Sequence, residues 1–158
     1  MTGGISSLAW PEFRELARRL GCGEPLETVG GIGGRSGQGA RLGRVLATRP
    51  IGSGRGRRYH TGHLRRLAVY HGIRQVLGNR QTDPNPDPEW MWRLLDFAEA
   101  TDLAHVAVWW NGDAWSVAGG HTAGEWELRG SMFLSLPVPT RAEMAREYRT
   151  MLLEKERD

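Results

Sequence analysis

The sequence predicts an α+β fold: a small antiparallel sheet, containing a hairpin over 105–118, covered by helices. Three observations carry this. In "HVAVWWNGDAWSVAG" (105–119) Asn111-Gly112 stands between apolar runs, and both residues accept the positive φ that a two-residue type I′ turn requires. Three other stretches repeat apolar residues at helical spacing. From residue 88 onward the order reads helix, hairpin, one or two strands, helix, which is an α+β arrangement. At 158 residues the chain has the size of one domain, 1–158, long enough to bury a core.

The elements follow in order. "PEFRELARRL" (11–20) reads as a helix, with Pro11 at its first position and Gly21 at its end. Phe13, Leu16, Ala17 and Leu20 share its apolar face. Residues 21–62 hold thirteen of the chain's 22 glycines and read as a Gly/Arg-rich segment, flexible or ordered by a partner. Within it, "ARLGRVLAT" (40–48) is expected as a short strand. Thr61 is expected to cap a helix over about 62–77. That helix has two stripes, one of Leu64, Leu67, Ala68 and His71, the other of Tyr70, Ile73 and Leu77, so a strand over "RLAVYH" is the alternative. "NRQTDPNPDP" (79–88) is a stiff connector. Asp87 then caps a helix to about Thr101 that buries Trp90, Met91, Leu94, Phe97 and Ala98, with Trp92 toward the other face.

In the hairpin, Val106, Val108, Trp110, Trp115 and Val117 share the expected core face, and Trp109 lies on the other. "EWELRGSMFLSLPVP" (125–139) supplies one or two further strands, ended by Pro137 and Pro139. Thr140 and Glu143 form a capping box for a last helix over about 141–156, with Met144, Ala145, Tyr148, Met151 and Leu152 as its apolar face.

Charge is unevenly placed. Thr28 to Thr82 contains eleven arginines and no Asp or Glu, whereas the rest of the chain has 10 basic and 18 acidic residues. Such asymmetry points to a polyanion partner, DNA or RNA; the competing reading is that the basic segment folds back on the acidic remainder. Arginine among glycines suits phosphate contact, because glycine lets the backbone approach and the guanidinium forks onto the oxygens. The candidate contact residues are Arg35, Arg41, Arg44, Arg49, Arg55, Arg57, Arg58, Arg65 and Arg66, with Trp92 and Trp109 as base-stacking candidates.

Other chemistries find less support. The glycine-rich stretch lacks the lysine of a phosphate-binding Walker loop, and "GIGGRS" puts Ser36 where a dinucleotide fingerprint needs its third glycine. His60-x-x-His63 has a workable metal spacing but too few further nitrogen or sulfur ligands. No catalytic residue, cofactor or metal is expected. No apolar run is long enough for a membrane span. "MTGGISSLAW" lacks the features of a signal peptide, and the single Cys22 suits a reducing cytoplasm.

Helix, hairpin, strand and helix, with Asp113 at the turn and "EWELR" on the following strand, loosely resembles the PD-(D/E)xK nucleases. The resemblance implies magnesium held by Asp113 and Glu127, with Arg129 where the family has lysine; arginine keeps its proton at working pH. The main expectation is therefore a non-enzymatic nucleic-acid-binding protein of a bacterium or phage. A metal-dependent nuclease is one alternative. An assembly or inhibitor protein docking a basic arm on an acidic protein is the other.

Overall fold

The computed structural model describes residues 7–27, 37–46, 58–78, 88–122 and 134–157. Among them are five α-helices and three strands: α1 (Trp10–Arg19), α2 (Gly37–Val45), α3 (Thr61–Leu77), α4 (Glu89–Ala100), β1 (His105–Trp110), β2 (Trp115–Gly120), β3 (Leu134–Pro137) and α5 (Arg141–Arg157), with a 3₁₀ turn at Glu24–Leu26 after α1. The fold is α+β. The sheet is antiparallel in the order β2-β1-β3, α4 packs on β1 and β2, and α3 packs against α4 and β3.

α1 buries Phe13, Leu16 and Ala17, the stripe its periodicity specifies. Its first turn is closed by the Glu12 carboxylate, which accepts from the Ala9 N–H at 3.2 Å. Arg19 then ties α1 to α5, bonding Glu15 of its own helix together with Glu147 and Glu154.

The 40–48 stretch differs from expectation. It is not a strand; its described part belongs to α2 and the turn that ends it. Leu42, Val45 and Leu46 are spaced to fall on one helical face, and all three are fully buried. A helix this short and rich in glycine is stabilised by burying that face rather than by local propensity.

α3 resolves the ambiguity of its two stripes. Every residue from Gly62 to Tyr70 is buried. A helix apolar on several sides has no single core face because it lies in the middle of the molecule. Its N-cap is His60, not Thr61: the His60 Nδ1 accepts from the Gly62 N–H at 3.0 Å. α4 begins after Pro88, and no side chain caps it; Asp87 and the 79–87 connector lie outside the described residues.

The hairpin is present, but its loop has four residues rather than two. Trp110 pairs with Trp115, and the Asn111 Oδ1 accepts from the Asp113 and Ala114 N–H groups at 2.9 and 3.0 Å. Gly112 has φ +106°. Lengthening the loop by two residues leaves strand parity unchanged, so Val106, Val108 and Val117 remain on one face. β3, from the stretch expected to supply one or two further strands, pairs antiparallel with β1 rather than with β2, its neighbour in sequence; residues 123–133 are outside the described set. Thr140 and Glu143 close α5 reciprocally, the Glu143 N–H donating to Thr140 Oγ1 at 3.3 Å. Among the described residues no helix is long and apolar enough to cross a membrane.

Candidate nucleic-acid interface

α2 and α3 come from the acid-free stretch, and neither contains Asp or Glu. Burial of Leu42 and Val45 leaves Arg44 exposed on α2 and Arg41 half-buried. Across from α2, Tyr70 of α3 is buried, and its hydroxyl accepts from Arg41 Nε at 3.1 Å and from Arg74 Nη1 at 3.5 Å. The two guanidinium carbons stand 5.8 and 5.5 Å from the Tyr70 ring centroid. The ring face attracts each cation.

Two candidates are used elsewhere. Arg65 is fully buried and donates to three carbonyl oxygens: Ala98 at 2.6 Å, Leu103 at 2.8 Å and Pro139 at 2.8 Å. Burial pushes its guanidinium down to about 10, partly countered by Asp102 at 3.8 Å, so it stays charged at neutral pH. Arg66 is buried as well, donating to the Val45 carbonyl at 2.7 Å, to Asp96 at 2.6 Å and to Glu99 at 3.1 Å. With these donors turned inward, neither residue is a surface phosphate contact. For this pair the competing expectation is realised: basic residues neutralise acids of α4 and the loop after it. They stand between Leu64 and Leu67, both buried, but residue type alone did not give their direction.

Arg58 is exposed and bonds Ser7, through Nε to Oγ at 2.6 Å. Arg35, Arg49, Arg55 and Arg57 lie outside the described residues.

Trp92 and Trp109 are both half-buried, and Trp92 packs against the core. Trp110, expected inside, is 52% exposed. It ends β1, beside the hairpin loop. The rings of Trp90, Trp115 and Trp110 follow one another, with centroids 6.4 and then 5.4 Å apart. The last ring of that row is the aromatic surface that reasoning from alternation alone missed. Its position next to the turn was the available signal.

Asp113 is exposed in the hairpin loop, where its backbone serves the turn; Glu127 and Arg129, its partners in the nuclease reading, lie outside the described residues. His60 and His63 stack at 3.8 Å between centroids and hydrogen-bond the start of α3. No group of three or more His, Cys, Asp or Glu suited to a metal ion occurs among the described residues. No family model, curated protein or solved structure matches the chain. What the fold and site define is an α+β protein carrying an acid-free pair of helices, with arginines gathered around Tyr70.

Proposed function

We propose that this protein binds nucleic acid without catalysis, contacting phosphates through Arg41, Arg44 and Arg74 together with Arg35, Arg49, Arg55, Arg57 and Arg58 of the acid-free stretch. The observation that carries the reading is the convergence of Arg41 and Arg74 on Tyr70, with exposed Arg44 one turn along α2 from Arg41 and no acid on either helix. Gathered cations on one surface raise the local concentration of a polyanion and position its backbone. Phosphate contacts do not distinguish sequences, so binding is expected to be largely sequence-independent.

The test is a fluorescence-anisotropy titration of duplex and single-stranded DNA and RNA at several salt concentrations. If about four arginines neutralise phosphates, the log–log slope on duplex DNA is near −4, from about −0.9 per phosphate. Replacing Arg55, Arg57 and Arg58 together with glutamine should make the slope shallower by about 2 to 3 and weaken all sequences alike. Salt-insensitive binding, or no binding, would overturn the reading.

A further inference from the structure

The start of α3 depends on two imidazoles that both act as acceptors. His60 Nδ1 takes the Gly62 N–H at 3.0 Å, and His63 Nδ1 takes the His60 N–H at 3.1 Å. This is a capping box with histidine in both roles, where Ser or Thr and Glu or Gln usually stand. An imidazole ring nitrogen accepts only while it carries no proton, so each of these two bonds requires an unprotonated Nδ1. The rings stack at 3.8 Å. Gly62 leaves room for the arrangement: a Cβ there would stand 2.8 Å from His60 Cε1.

We propose that the His60–His63 pair is a pH-sensitive clasp that holds the first turn of α3 while both rings are neutral and releases it when they take up protons. Protonation turns each Nδ1 from acceptor to donor, so two N–H groups point at N–H groups and both caps are lost. It also places two cations face to face at the positive end of a helix dipole. Aromatic and charged groups of both signs stand around the pair. Tyr59, edge-on to His63, is buried and stacked on Phe13 of α1. Arg141 of α5 donates to Thr61 Oγ1 at 3.2 Å, and its charge is paired with Asp102 at 3.6 Å. Glu99 of α4 has its Cγ 3.0 Å from where a Gly62 Cβ would be, and its carboxylate is held by Arg66, which also binds Asp96. Arg65 and Arg66 follow on the same helix, so the turn that the clasp holds leads directly into the arginines that cross-link α3 to α4.

The sign follows from the proton count. On this proposal each proton taken up breaks a cap, so stability should fall as pH falls through the imidazole range and be full above it. The proposal does not rest on nucleic-acid binding, and it is tested on the free protein. Urea unfolding is measured from about pH 8 to about pH 5, the window in which imidazole takes up its proton, for the native chain and for the double variant His60→Asn, His63→Gln. Asparagine and glutamine keep both acceptors without titrating. The native unfolding constant should rise about tenfold more than the variant's across that window, the scale of losing a helix cap. An equal pH dependence in both proteins, which would assign it to His71, His105 or His121, overturns the proposal. Nitrogen NMR of the native imidazoles at the upper pH is the second measurement, independent of whether the variant folds. Both His60 and His63 should carry the proton on Nε2, and an Nδ1–H form of either ring would also overturn it.

Discussion

The Arg65 side chain reaches through the middle of the fold to donate to the Ala98 carbonyl at 2.6 Å, in the last turn of α4. The same guanidinium bonds Leu103 and Pro139, so one residue joins the end of α4, the approach to β1 and the approach to α5. Arg141 completes the junction from the other side, donating to the Thr101 and Glu99 carbonyls at 3.0 and 3.3 Å. The last carbonyls of a helix have no partner within it, and cations placed there satisfy both hydrogen bonding and the helix dipole.

Replacing Arg65 with lysine keeps the charge but not the planar fork, and one ammonium cannot reproduce three divergent bonds. Leaving buried carbonyls unmet costs about 1–3 kcal/mol each, so Arg65→Lys should destabilise the protein by about 3 kcal/mol or more in urea unfolding. Arg44→Gln, on an exposed residue of the same basic stretch, should change stability by no more than about 0.5 kcal/mol. Equal effects of the two substitutions would show that Arg65 is not a structural cross-link.

Two glycines of the hairpin should respond for different reasons. At Gly119 an added Cβ would overlap the His105 carbonyl oxygen and stand 2.8 Å from Leu103 Cδ1. At Gly112 there is open space but φ is +106°, a conformation that a β-branched residue resists. Gly119→Ala and Gly112→Val should each lower stability by more than about 1 kcal/mol, measured by thermal or urea unfolding. Gly112→Asn, which tolerates positive φ better, should cost less than the valine.

Acid should loosen the α1–α5 contact. The hydrogen bond from Arg18, with help from Arg19, holds the Glu15 carboxyl down at about 2 against an ordinary 4.5, and Arg19 lowers Glu154 in the same way. Depressed carboxylates stabilise the fold fully above the unfolded value and lose that contribution as pH falls through the folded one. Stability should therefore decline between about pH 4.5 and about pH 2, modestly because solvent screens these exposed pairs. Glu15→Gln should flatten that part of the urea-midpoint profile against pH.

Cys22 is buried, and burial pushes its thiol up to about 12. Only the thiolate attacks a thiol reagent. A disulfide reagent at mildly alkaline pH should leave the native protein unmodified and label it fully in urea. Rapid labelling of the native state would place this thiol at the surface.

α1, α4, α5 and the hairpin were legible in the sequence because each is specified by its own neighbours: apolar residues at helical spacing, Pro11 at a helix start, the Thr140–Glu143 box, Asn111-Gly112 between alternating runs. The parity of the hairpin survived even though its loop is longer than expected, because side chains alternate with period two. The face of α3 was not legible, since a central helix repeats apolar residues on every side. Nor was α2, whose glycines argue against it locally and whose stability comes from the buried Leu42, Val45 and Leu46. The candidate site divides along the same line. An acid-free, arginine-rich stretch can be counted from the sequence, but residue type cannot tell an arginine aimed at solvent from one aimed at carbonyls. Only the tertiary structure decided that Arg65 and Arg66 turn inward while Arg44 faces out and Arg41 and Arg74 meet at Tyr70. The carbonyls that receive Arg65 belong to residues more than thirty positions away in the chain, and they become its partners only once α3, α4 and the approach to α5 have packed.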